Sequence, residues 1–175
     1  MTVSSFEKSL HALPRESQPG FIAPQLALQS ISPPTGEGWL HELKLDGYRM
    51  QARKDGSGVQ MLTRKGLDWT ARVRSVAKEV AKLAVDKVTL DGEVVVLAED
   101  GTTNFADLQA SLQDGTSNML TYFCFDLLHV DGHNVRELPL RRRKEMLGDV
   151  LEEADSDLLR VSEHLETNGE ELFRK

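Results

Sequence analysis

A single cysteine, Cys124, excludes an internal disulfide and any zinc site built on several thiolates. No apolar run approaches the roughly 18 residues that would cross a bilayer. The first ten residues carry no basic stretch leading into an apolar one, so no secretory signal is expected there. Together these absences point to a reducing, cytoplasmic setting. Proline is scarce beyond the start: of six in 175 residues, Pro14, Pro19, Pro24, Pro33 and Pro34 all fall in the first 34. A regular element is therefore expected to be short in that stretch, with one helix over Ser4–Leu10 opened by a capping-box pair, Ser4 and Glu7. Residues 1–36 read as an arm wrapped on the body.

Excess positive charge is also missing overall. The formal net charge is −7, which argues against a surface that clamps nucleic acid throughout. The imbalance is local. Residues 145–175 hold ten acidic and three basic side chains, whereas residues 41–66 hold six basic and three acidic. A polyanionic ligand is thus compatible with the second stretch, because the field at a site outweighs the sum over the chain.

The apolar fraction of 39% suits a folded domain. Strands are expected over Trp39–Lys44, Tyr48–Arg53, Val59–Arg64, Val88–Leu97, Leu120–Leu128 and Leu158–Val161. Asp55-Gly56-Ser57-Gly58 marks a hairpin, and Asp91-Gly92-Glu93 reads, by itself, as a turn. Val73, Val76, Val80 and Leu83 recur at helical spacing within Thr70–Leu83. Further helices are expected after Asn104, bearing Phe105, Leu108 and Leu112, over Leu140–Glu153, and after Asn168. Hairpins separated by helices define an α+β class, mainly antiparallel sheets flanked by helices.

Five segments draw attention: Glu42-Leu43-Lys44-Leu45-Asp46-Gly47-Tyr48-Arg49, Arg64-Lys65-Gly66, Asp91-Gly92-Glu93, Asn104–Gln109 and Phe123-Cys124-Phe125-Asp126-Leu127-Leu128. Taken singly, each has a plain explanation as a solvated strand face, a hairpin end, a turn, or core aromatics. Arg141-Arg142-Arg143-Lys144 is read as a solvated charge run with no site role.

Four of these segments, in this order, resemble the adenylation domain of ATP-dependent DNA ligases. Among these the likeness is greatest to the ligase module of bacterial multifunctional end-joining ligases. Glu42–Arg49 is similar to the nucleophile motif, Arg64–Gly66 to the arginine-glycine element, Asp91–Glu93 to the third motif and Phe123–Leu128 to the aromatic strand that follows it. The resemblance runs from about Phe21 to Lys175 and implies an ATP-grasp-like nucleotidyltransferase fold. It implies that Lys44 attacks the α-phosphate of ATP and carries AMP as a lysyl-AMP intermediate, which requires the amine to be neutral. It also implies that Glu42 accepts from the adenine amino group, with main chain around Leu43 meeting the base. Phe125 would stack on adenine, and Arg49 and Arg64 would meet ribose and phosphate. Glu93 would bind ribose or help hold Mg²⁺ or Mn²⁺. Asp46 either anchors the turn or faces the metal. Gly47 and Gly92 would supply backbone freedom.

The same resemblance implies DNA repair and recombination by non-homologous end joining. Nicked or broken duplex DNA would be the substrate, with a nucleoid-associated location. A Ku-type end-binding protein and polymerase and nuclease modules of a parent chain would be its partners. Arg53, Lys54, Arg64 and Lys65 could also touch DNA phosphates, with Arg53 and Lys54 read equally well as solvated hairpin charges. Two later family motifs and an OB domain are not found in the 175 residues. Residues 37–175 are therefore expected to be a partial, C-terminally truncated adenylation domain that does not seal nicks alone. Two alternatives stand beside this reading: a capping-type guanylyltransferase, and a non-catalytic nucleotide-binding remnant.

Overall fold

The structure is a computed structural model. It describes residue 6 and residues 10–98, 101–114, 120–152, 154–166 and 169–173. Of the helix expected over 4–10 only Phe6 and Leu10 are described, both helical; its capping pair and the cap at Asn168 lie outside the described residues.

The central sheet begins with the hairpin β2 (Tyr48–Asp55) and β3 (Gly58–Thr63). It continues through β4 (Val88–Val96), β5 (Leu120–Val130) and β6 (His133–Asn134), in the order β3-β2-β4-β5-β6. Strand β7 (Leu159–Val161) lies parallel to β5, beside Tyr122–Cys124. A second, two-stranded sheet joins β1 (His41–Glu42) to β8 (His164–Leu165). Helix α1 (Arg74–Lys82) follows β3, α2 (Phe105–Asp114) follows β4, α3 (Leu140–Glu152) follows β6, and α4 (Gly169–Phe173) follows β8.

Strand alternation divides the sheet into two chemistries. Met50, Ala52, Met61, Leu90, Val94, Tyr122 and Cys124 meet Val76, Val80, Leu108, Met146 and Leu147 from the helices in one core. The opposite face carries Arg49, Gln51, Arg53, Asp91, Glu93 and Phe123 at the intervening positions.

Residues 13–25 cross the polar face, fastened largely by side chains of the sheet. Gln51 exchanges two 3.0 Å bonds with the backbone of Ile22, so its amide acts as a neighbouring strand would. Gln18 Nε2 donates to the carbonyls of Lys54 and Val88 and to Thr89 Oγ1. Arg53 Nε donates to the Pro19 carbonyl.

Three expectations are corrected. The strand expected over Trp39–Lys44 shrinks to His41–Glu42, because β8, its one strand partner among the described residues, is two residues long; Lys44 and Asp46 therefore sit in a loop. The helix expected from Thr70 starts at Arg74, since Asp68 Oδ1 accepts from both the N–H and the hydroxyl of Thr70 and draws that stretch into turns. Asp91-Gly92-Glu93 is no turn: it runs unbroken through the middle of β4. Gly92 is required there by contact, not by unusual torsions. A Cβ on Gly92 would lie 2.5 Å from the Tyr122 ring and closer still to the Phe123 carbonyl. Gly47 is the same case, since its Cβ would meet the Val94 carbonyl and come within 2.8 Å of Val95 Cγ1.

Candidate active site

The site grows from the pairing of β2, β4 and β5. Arg49 stands opposite Glu93, and Glu93 opposite Phe123. Between Asp91↔Asp126 and Gly92↔Cys124 the register slips, and Phe125 is the extra residue of a β-bulge. The bulge breaks the alternation, which lets Phe125 join the polar face beside Phe123 while Cys124 remains in the core.

Arg49 is held on that face by three bonds. Its Nε and Nη2 donate to Asp91 Oδ1 and Oδ2 at 3.2 and 2.8 Å, and Nη1 donates to the Gln25 carbonyl at 2.8 Å. The guanidinium carbon lies 5.2 Å from the centroid of the Phe125 ring, a cation–π contact. The bond to Asp91 raises the Arg49 pKa above its ordinary value. Burial pushes the Asp91 carboxyl up, against the opposing pull of Arg49.

Glu93 lies next to this pair. Burial pushes its carboxyl up to about 7, although the backbone N–H of Gly47 donates to it and the charges of Lys44 and Arg49 favour its ionised form. The close approach at Gly47 thus brings the Lys44 loop against Glu93. Lys44 itself is exposed. The residues on either side of it, Leu43 and Leu45, line an open hollow of about 480 Å³ that is walled by Phe123, Arg160, Val161 and Ser162. Arg64 lies in the turn after β3, exposed, and borders a small crevice with Phe21, Arg49 and Asp91.

Glu42 takes a different direction. Its Oε2 is 2.9 Å from Nζ of Lys144, whose side chain is only 3% exposed. The basic run on α3 is therefore not simply a solvated face. Arg143 grips both oxygens of Asp126 at 2.7 and 2.9 Å and donates to the Leu138 carbonyl. Arg141 pairs with Glu166 across to the chain beyond β8. The signal for Lys144 was present in the sequence: Leu140, Lys144, Leu147 and Leu151 form one helical stripe, and a lysine in an apolar stripe needs a buried partner. Phe123 and Arg160, opposite each other in β5 and β7, were also missed, because that parallel pairing leaves no local trace.

Among the described residues no group of three or more His, Cys, Asp or Glu side chains could by itself hold a metal ion. Glu93 offers one hard oxygen donor group. That set fits Mg²⁺ or Mn²⁺ carried on nucleotide phosphates, where phosphate oxygens and water complete the shell. No helix among the described residues is long and apolar enough to cross a membrane.

The sequence and the fold both have known relatives. The model of the ATP dependent DNA ligase domain matches residues 23–175. The multifunctional non-homologous end joining protein LigD of Pseudomonas aeruginosa is 41% identical over 155 residues, covering 89% of this chain and 18% of that protein. The LigD of Mycobacterium tuberculosis H37Rv is 32% identical over 153 residues, covering 87% of this chain and 19% of that protein. Among solved structures, the ligase domain of M. tuberculosis LigD matches with a TM-score of 0.62 and 32% identity, over 78% of this chain and 43% of that one. A mycobacterial DNA ligase D complexed with ATP and MES matches with the same TM-score at 31% identity and the same coverage. The chain thus spans about a fifth of its full-length relatives. These relatives are DNA ligases, which favours the ligase reading over the capping alternative.

Proposed function

The chain belongs to the ATP dependent DNA ligase domain family, and from that footing we propose that it carries the nucleotide-loading chemistry of a LigD-like ligase, with Lys44 as the nucleophile. The observation that supports this most is the position of the Lys44 loop. It is drawn by Gly47 onto Glu93, at the edge of a face that also presents Arg49, Phe123 and Phe125.

In this reading the Lys44 amine attacks the α-phosphate of ATP. A P–N bond forms, the bond to pyrophosphate breaks, and AMP stays on the lysine. The amine attacks in its neutral form, which nearby cationic side chains favour, so their approach matters. Arg49, anchored at Asp91 and Gln25, keeps a fixed position for the ribose or phosphate. Arg64 and Arg160 add charge at two margins of the site. The hollow between Leu43, Leu45 and Phe123 has an apolar lining suited to a planar base. Phe123 supplies the ring at the wall of that hollow; Phe125, the stacking partner expected from the sequence, does not line it and lies against Arg49 on the adjoining face. Glu42 offers the carboxylate that accepts from an adenine amino group, whereas guanine presents a carbonyl at that place. Glu93 meets ribose or supports the metal, which when bound offsets phosphate charge.

Transfer of AMP to a DNA 5′-phosphate, sealing of breaks in non-homologous end joining, and association with a Ku-type protein and polymerase and nuclease modules complete the proposal. They are carried over from the relatives. The test is intact-mass analysis after incubation with ATP and Mg²⁺, followed by peptide mapping. One AMP is expected on Lys44, absent in Lys44→Ala. An adduct on another residue, or one formed preferentially from GTP, would refute the assignment.

A further inference from the structure

Lys144 and Glu42 form a buried contact between two parts of the fold that differ in how firmly they are held. Helix α3 is anchored by Met146, Leu147 and Val150 in the core and by the two bonds from Arg143 to Asp126, one residue beyond Phe125. Strand β1, among the described residues, pairs with no strand but β8, through a two-residue ladder. The Lys144 amine bridges them: it sits 2.9 Å from Glu42 Oε2 and donates to the Ser162 carbonyl at 3.3 Å. Ser162 lies in the wall of the hollow that Leu43 and Leu45 line, and Lys144 borders a second hollow behind that wall. Glu42 Oε1 has no protein partner among the described residues, and the Glu42 side chain is a quarter exposed.

We propose that Lys144 is a positioning residue for base recognition: by holding Oε2 it orients the Glu42 carboxylate so that Oε1 is presented to the exocyclic amino group of a purine nucleotide. The proposal rests on the reading of Glu42 as the base contact. Without the lysine, a partly exposed carboxylate on a two-residue strand turns toward water, and its directional hydrogen bond to the base is lost. A purely structural ion pair would behave otherwise. Replacing such a pair can leave stability unchanged or raised, and base preference has no reason to follow.

The experiment measures ATP and ITP binding to the whole chain by calorimetry in Mg²⁺ buffer, because ITP has a carbonyl where ATP has the amino group. The wild type is expected to favour ATP by about tenfold, the worth of roughly one hydrogen bond to a charged acceptor. Lys144→Met is expected to reduce that preference to about twofold, and Lys144→Arg, which keeps the charge, to restore most of it. Lys144→Gln is uncharged and one heavy atom shorter, so it gives up the contact with Glu42 while keeping a polar group for the Ser162 side; it serves if the Met variant fails to fold, and it too is expected to lose the preference. In a Glu42→Gln background, with the preference already reduced, Lys144→Met should change it no further. Full preference in a folded Met or Gln variant would overturn the proposal while leaving the Glu42 reading intact. A wild type without preference, or one whose preference survives Glu42→Gln, would overturn the Glu42 reading and this proposal with it.

Discussion

Replacing Gly92 by alanine tests the account of the central sheet most directly. The added Cβ would come 2.5 Å from the Tyr122 ring and closer still to the Phe123 carbonyl, against about 3.5 Å for an ordinary carbon contact. Neither neighbour can give way freely. The carbonyl belongs to β5, packed between β4 and β7, and the fully buried Tyr122 hydroxyl donates to the Met50 carbonyl at 2.9 Å. Relief requires β4 and β5 to part by about 1 Å. Overpacking of this kind costs about 1–3 kcal/mol, and breaking the Tyr122 bond leaves a buried hydroxyl unpaired for about 1–3 kcal/mol more. The sum, about 2–6 kcal/mol, is a large part of the stability of an ordinary domain and corresponds to a fall of about 5–20 °C in Tm. Gly148 is the control. It lies inside α3 with nothing within 4 Å of an added Cβ, so Gly148→Ala should raise Tm by about 2–4 °C. Thermal unfolding followed by circular dichroism reads both. A Gly92→Ala protein melting within 2 °C of wild type would refute the reasoning, for the turn reading of Asp91-Gly92-Glu93 predicts just such tolerance.

Three further predictions follow from the polar face. Glu93 has a pKa near 7 when folded and the ordinary 4.5 when unfolded, so between those values only the folded state holds the proton and stability falls as pH rises. Partial exposure reduces the full linkage of about 3 kcal/mol to about 1–2 kcal/mol. Urea unfolding in chelator should therefore show Glu93→Gln gaining that amount over wild type between pH 5 and pH 8; parallel pH curves would contradict the burial argument. Arg49→Lys replaces a forked donor set with one amine, leaving an Asp91 oxygen or the Gln25 carbonyl without its bond, and should cost about 2 kcal/mol in the same assay. Gln51→Ala removes both bonds to Ile22 and should speed proteolytic cleavage within residues 19–25 about tenfold, as open arm states become more populated.

The family was legible without coordinates. The residue types and order around Lys44, Arg49, Glu93 and Phe125 carried the likeness to DNA ligases, which the family match over residues 23–175 bears out. Local rules also placed the β2–β3 hairpin at Asp55–Gly58, and the Asn104 cap, whose Oδ1 accepts from the Ala106 N–H at 2.8 Å. These features depend on neighbours a few residues apart, which spacing and turn chemistry report directly.

The missed features depend on partners far along the chain. Gly92 looked like a turn residue because its true constraint, Tyr122, is thirty positions away; in the fold the two are pressed together and the strand runs straight. Phe125 reaches the polar face only because β5 bulges against β4, and Phe123 meets Arg160 only because β7 lies parallel to β5. Lys144 was read as solvated until α3 packed it against Glu42. The sequence alone named the chemical groups that the proposed function assigns to a nucleotide site. The tertiary structure decided which of those groups meet, because a buried charge or a strand register is settled by a distant partner that no local pattern encodes.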